Sequence, residues 1–128
     1  MARIVFDAST VLALLNEEPG AEVVATYVGD AIISAVNYQE VIYKLLKRGI
    51  SPATVEQMLI ETRLEVVPHD EKDAVTASSL GKFTYKFGCG LGDRTCLALA
   101  LRKGLPVLTT DQVWANLEIP DLEVRLAR

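Results

Sequence analysis

Residues 89–111 read "CGLGDRTCLALALRKGLPVLTTD", an almost unbroken apolar run with an aspartate near each end, Asp93 and Asp111. A helix over about 93–103 is roughly 16 Å long at 1.5 Å per residue. Gly104 and Pro106 then reverse the chain. The strand expected over 106–110 covers about the same length in return, at 3.3 Å per residue. The chain goes down one length and comes back by another. Asp93 and Asp111 should therefore finish at the same edge of the domain, although eighteen positions separate them.

Outward from this stretch, short apolar strands alternate with helical segments. "RIVF" (3–6), "AIIS" (31–34), "LEVVP" (64–68), "PVLTT" (106–110) and "LEVRLA" (122–127) read as strands. "ASTVLALLNEE" after Asp7 is helical until Pro19 and Gly20 break it, and "AEVVATYV" is a second short helix. Ser34 is placed to cap the helix of 35–49, which Gly49 ends. Ser51 and Pro52 form a strong helix start for 51–62. A further helix is expected in the first part of 70–86, with His69 and Asp70 as its turn and cap. Glycines around Cys89 make a loop, and a short helix follows Asp111. This alternation indicates an α/β fold, a three-layer α/β/α sandwich on a mostly parallel sheet. No repeat, linker or low-complexity tract divides the chain, so residues 1–128 are read as one domain.

Composition narrows the chemistry. Half of the 128 residues are hydrophobic and 23% are charged, the balance of a chain that folds around a core. No window approaches the ~18 consecutive apolar residues of a membrane span. The N-terminus lacks the charged head and cleavage site of a signal peptide, so a cytoplasmic location without membrane partners is expected. The two cysteines form neither a disulfide framework nor a zinc quartet. Cys96 reads as a core residue, whereas Cys89, flanked by glycines, is free to be exposed. A zinc site or a Ser-His-Asp triad would have to rest on His69 alone. The net charge of −4 argues against bulk electrostatic attraction to nucleic acid. It does not exclude a nuclease, because cations cancel a cluster of carboxylates in use.

Such a cluster is legible. Asp7 follows the first strand as Asp111 follows the fourth. In parallel strands both lie at the carboxyl ends, where open α/β sheets place their ligands. Glu40 comes about a turn and a half into a helix that starts at that edge, and helical side chains lean back toward the N-terminus. Asp7, Glu40, Asp93 and Asp111 thus converge. Each has an ordinary structural use: Asp7 and Asp111 as helix caps, Asp93 as a first-turn dipole partner, Glu40 as the ion-pair partner of Lys44. Together they would repel one another unless cations intervene. An all-oxygen donor set suits Mg²⁺ or Mn²⁺, which assist displacement at phosphorus.

The segments "IVFDAST", "SAVNYQEVIYKL", "GLGDRTCLALALRKGLPVLTTD" and the trailing "QVW" resemble the PIN-domain ribonucleases, particularly the VapC toxins of toxin–antitoxin pairs. The match runs from residue 4 to residue 114. The resemblance implies a Mg²⁺- or Mn²⁺-dependent endoribonuclease acting on RNA, a homodimer, and silencing by a cognate antitoxin protein. By matching positions it implies an acidic metal site at Asp7, Glu40, Asp93 and Asp111. Ser9 and Thr110 fall where hydroxyls support that site, and Asn37 matches the polar residue one turn before Glu40. The stretch "GKFTYKFGCG" departs most from the family pattern.

Arg94 adjoins an acid and is a candidate phosphate partner or a structural ion pair. Lys82 and Lys86, interleaved with Phe83, Tyr85 and Phe87, suit single-stranded RNA or a solvated helix face. Trp114 is read as packing beneath its loop. Two alternatives stand beside the nuclease. One is a catalytically silent PIN-like module that binds RNA or a partner. The other is a haloacid dehalogenase-like phosphatase with Asp7 as nucleophile, which would need an acid where Ser9 stands.

Overall fold

The computed structural model describes residues 3–128; Met1 and Ala2, part of the N-terminal segment read for a signal peptide and of the 1–128 span, lie outside them. Among the described residues five strands form one sheet: β1 (Ile4–Phe6), β2 (Ala31–Ser34), β3 (Glu65–Val67), β4 (Val107–Thr109) and β5 (Val124–Leu126). Their order is β3-β2-β1-β4-β5, and every pairing is parallel, so the sheet is wholly rather than mostly parallel.

Seven α-helices among the described residues connect the strands: α1 (Ala8–Leu15), α2 (Ala21–Ala25), α3 (Ala35–Lys47), α4 (Pro52–Thr62), α5 (Glu71–Ser79), α6 (Gly81–Thr84) and α7 (Leu91–Lys103). Alternation along the buried strands sorts side chains into two cores. Ile4, Phe6, Ile33 and Leu108 pack with Val11 of α1, Val24 of α2, Val41 and Leu45 of α3, and Leu59 of α4. Val5, Ile32 and Val107 pack with Ala77 of α5 and with Cys96, Leu97 and Ala100 of α7, where Trp114 also lies buried. The result is the α/β/α sandwich expected, each fully buried Ile, Leu or Phe contributing about 1.5–3 kcal/mol.

The caps follow the sequence closely. Ser34 accepts from Val36 N–H, Ser51 from Thr54 N–H, and Asp70 forms a reciprocal capping box with Asp73. Gly104 ends α7 in the left-handed region at φ 63°, which turns the chain into β4.

Several boundaries differ from expectation. The first helix stops at Leu15, with Asn16 as its C-cap, rather than running to Glu18. The helix expected in the first part of 70–86 is there as α5; the chain then breaks at Leu80 into α6 and a 3₁₀ turn, Tyr85–Phe87. The segment after Asp111 is 3₁₀, Gln112–Asn116, not α-helical. Cys89 is buried, not exposed: its side chain joins the core beneath α7 although glycines flank it. No helix among the described residues is long and apolar enough to cross a membrane.

Candidate active site

The strand order reverses at the centre of the sheet. β1 leads to β2 and β3 on one side, whereas β4 and β5 lie on the other. In open parallel sheets the crevice at such a switch point, at the carboxyl ends of the strands, is where ligands bind. Asp7 leaves β1 and Asp111 follows β4, so the two acids flank this point. A cleft of about 100 Å³ opens there, lined by Asp7, Ala8, Ser9, Asn37, Glu40, Lys44, Asp93 and Asp111. All four acids read from the sequence meet in it.

Asp7 is the deepest, at 5% exposure. Its Oδ1 accepts from Thr10 N–H at 2.8 Å and lies 2.7 Å from Thr10 Oγ1; its Oδ2 accepts from Thr109 Oγ1 at 2.8 Å. Ser9 Oγ lies 2.8 and 2.9 Å from the two oxygens. Burial pushes the Asp7 carboxyl above its ordinary range, and these hydrogen bonds offset part of the rise. Asp7 is also the N-cap of α1, so its structural use and its place in the cleft coincide.

The second carboxylate is held across two helices. Asn37 Nδ2 donates to Glu40 Oε1 at 2.7 Å and to the Gly92 carbonyl at 2.9 Å, tying α3 to the first turn of α7. Asn37 is buried, and its Oδ1 has no donor among the described residues. A Cβ at Gly92 would lie 2.8 Å from Glu40 Cδ, so only glycine leaves room for this carboxylate. Glu40 and Lys44 are not a close ion pair among the described residues, although both line the cleft.

Asp93 sits in the first turn of α7, where its Oδ2 accepts from Gly90 N–H at 3.1 Å. Burial raises its pKa; the Gly90 bond opposes that rise, the Asp111 charge adds to it, and Arg94 and Lys44 oppose it. Asp111 is exposed, its Oδ1 accepts from Val113 N–H to cap the following 3₁₀ turn, and its own N–H donates to Thr109 Oγ1. Cys96, buried beneath the cleft, has its thiol pKa pushed far up by burial and then by the charges of Asp7, Asp93 and Glu40. That thiol is inert core.

The supporting hydroxyls are partly those expected. Ser9 touches Asp7 directly, while Thr110 Oγ1 lies 2.8 Å from Ser9 Oγ and acts at one remove. Thr109 and Thr10, which touch Asp7 themselves, were not anticipated, and neither was the space left by Gly92. Arg94 neighbours Asp93 electrostatically, yet its Nη1 donates to the Cys89 carbonyl at 2.9 Å and its side chain lines a separate cleft. Lys82 and Lys86 line a third, with Phe83 and Phe87.

The donor set of the acid cleft is carboxylate oxygen. Among the described residues no three His, Cys, Asp or Glu side chains are gathered tightly enough to hold a metal ion by themselves. The fit to Mg²⁺ or Mn²⁺ lies in the donor type: these ions take oxygen ligands, often one or two carboxylates with several waters.

A sequence model of the PIN domain matches residues 4–119. The chain belongs to the PIN-domain family. No curated protein matches it in a sequence search. Solved structures with the same fold include DNA-bound VapBC from Salmonella typhimurium, at 19% identity and TM-score 0.75 over 100% of both chains. VapBC2 from Rickettsia felis, bound to a DNA fragment from its promoter, is similar at 16% identity and TM-score 0.73, over 96% of this chain and 97% of that one. A toxin–antitoxin complex from Klebsiella pneumoniae matches at 20% identity and TM-score 0.71, over 93% and 94%. The four acids and their hydroxyl supports lie within the span the PIN-domain model covers.

Proposed function

We propose that this chain is a Mg²⁺- or Mn²⁺-dependent endoribonuclease, a single PIN domain over residues 1–128 with Asp7, Glu40, Asp93 and Asp111 as metal-holding and catalytic residues. The observation that carries the reading is the meeting of these four carboxylates in one cleft at the switch point of the sheet. A cleft with four acids and one lysine attracts cations, and it repels a phosphate unless cations are present. Membership of the PIN family supports the same chemistry and sets aside the phosphatase alternative.

A bound divalent ion would supply the charge that activates a water and stabilises the negative charge developing at phosphorus. The protein's share is placement. Ser9, Thr10 and Thr109 fix the direction of Asp7. Asn37 and the space at Gly92 fix Glu40. Helix α7 and strand β4 hold Asp93 and Asp111 at the same edge, and Lys44 offsets part of the negative field. Water attack breaks the bond from phosphorus to the 3′ oxygen, leaving a 5′-phosphate and a 3′-hydroxyl.

The fold shared with VapBC complexes supports a role as the toxin of such a pair, with a cognate antitoxin as partner; the homodimeric cytoplasmic form proposed with it rests on the sequence reading alone. Purified protein incubated with total RNA tests the activity. Cleavage with Mg²⁺ or Mn²⁺, lost on adding chelator and lost in Asp7→Asn, is the expected result. Equal cleavage by wild type and Asp7→Asn would refute it.

A further inference from the structure

The acid cleft is small. About 100 Å³ is roughly three waters' worth of space, too little for a nucleoside. A polynucleotide substrate must continue beyond it, and the structure offers a neighbouring place. Helix α7 begins between two clefts. Asp93 faces the acid cleft, while Leu91, Arg94 and Thr95 line a second, which α5 closes with Ala74, Ala77 and Ser78 and which His69 borders. This second cleft measures about 350 Å³, within the ~300–1,000 Å³ range of clefts that hold small organic ligands.

Its lining suits a nucleotide. Ala74, Ala77 and the 72%-exposed Leu91 give apolar surface for a base face. The Arg94 guanidinium is anchored by one N–H on the Cys89 carbonyl, which leaves other donors of its planar fork for a phosphate. Arg94 also lies near enough to Asp93 to act on its charge, so a phosphate held there is close to the acid cleft. His69 and Ser78 add polar atoms for a base edge. Two other clefts fit less well. One is lined by Asp70, Glu71, Lys72 and Val75, with two acids that repel phosphate. The other, with Lys82 and Lys86, has no residue next in sequence to a cleft acid.

We propose that the cleft between α5 and α7 is a nucleotide-binding subsite that seats the nucleoside flanking the scissile phosphate, with Arg94 holding the adjoining phosphate. The proposal rests on the nuclease reading for its polynucleotide substrate, but its test requires no cleavage. His69 is the only histidine, so its imidazole gives a single NMR signal at the rim of this cleft. The protein in saturating Mg²⁺ is titrated at constant pH with each of the four ribonucleoside 5′-monophosphates, and separately with inorganic phosphate. At least one nucleotide should move the His69 signal saturably, and phosphate alone should not.

Arg94→Ala should weaken that binding about tenfold or more, the scale of one lost charge-assisted hydrogen bond. Ala74→Trp, which fills the cleft without touching an acid, should abolish it and raise the KM for an RNA oligonucleotide. Unchanged nucleotide shifts in Ala74→Trp, an equal response to phosphate alone, or no response to any of the four nucleotides overturns the proposal. So does an RNA KM that Lys82→Ala and Lys86→Ala raise while Ala74→Trp leaves it unchanged. Nucleotide binding in a protein that cleaves no RNA would uphold the subsite and refute the nuclease reading; cleavage without nucleotide binding does the reverse.

Discussion

Gly92→Ala separates the site from the fold. Gly92 lies in the first turn of α7, and its φ is not in the left-handed region, so alanine is compatible with its backbone. In a helix interior, alanine is favoured over glycine by up to about 1 kcal/mol, and by less near the start. Against this, the new Cβ would lie 2.8 Å from Glu40 Cδ, closer than real Cβ atoms approach. The glutamate is the end of a flexible side chain and gives way first. Its displacement breaks the 2.7 Å bond from Asn37, a loss of about 1.5–3 kcal/mol for a hydrogen bond to a charged acceptor. The helix gain offsets part of this and leaves a net loss of about 1–2 kcal/mol. Thermal unfolding should fall by about 10 °C or less, since 1 kcal/mol corresponds to about 4 °C in a domain of this size. Activity should not escape, because moving a reacting group by about 1 Å costs on the order of a hundredfold. Unfolding followed by circular dichroism and cleavage of a labelled RNA under saturating Mn²⁺ measure both in one preparation. A Gly92→Ala protein that cleaves at the wild-type rate would show that Glu40 need not stand where Asn37 holds it. A loss of activity matched by a loss of fold would refute the separation.

Thr109→Val removes the hydroxyl that bridges Asp7 Oδ2 and Asp111 N–H; unfolding in urea should show about 1–3 kcal/mol of lost stability, and cleavage should fall with it. Asn37→Leu removes the amide that donates to Glu40 Oε1 and to the Gly92 carbonyl, so urea unfolding should show about 1–3 kcal/mol of lost stability while RNA cleavage by the still-folded protein falls by about a hundredfold. Asp73 pairs with Arg102 between α5 and α7. Burial raises its pKa, but the bonds from Arg102 and the Asp70 N–H, with the Arg102 charge, outweigh that and hold it below the usual 3.8. A depressed carboxyl stabilises the fold above its unfolded pKa and loses that contribution as pH falls through the folded value. Asp73→Asn should therefore cost about 1–3 kcal/mol at pH 7, and the difference from wild type should shrink in acid below about pH 3.8; a pH-independent difference in urea midpoints contradicts it.

The sequence displays the skeleton of this site because simple geometry produces it. An acid directly after an apolar strand must lie at the strand's carboxyl end, and a helix followed by a strand of equal length brings Asp93 back to Asp111. What it hides depends on register. Thr109 and Thr110 are adjacent, and strand alternation sends one hydroxyl to Asp7 and the other toward Ser9; only the pairing of β1 with β4 decides which. Thr10 resembles any helix residue until the β4 chain passes beside it, with the Leu108 carbonyl 2.6 Å from its Oγ1. Arg94 shares a helical turn with Asp93 but faces a different cleft, since consecutive helical residues point about 100° apart. Cys89 is buried because α7 and its neighbours close over a loop whose glycines, by composition, suggest exposure.

The proposed nuclease activity requires the four carboxylates to act as one metal-dependent unit. The most direct measurement is the rate of cleavage of a single-stranded RNA as a function of Mn²⁺ concentration. It is made in parallel on wild type, Asp7→Asn, Glu40→Gln, Asp93→Asn and Asp111→Asn, with each variant's fold checked by its unfolding curve. The expected result is a saturable dependence on Mn²⁺ in wild type and a loss of about a hundredfold or more in each variant, on the scale of removing a group that acts on the transition state. Cleavage that persists without divalent ions, or a wild-type rate in any of the four folded variants, would contradict it.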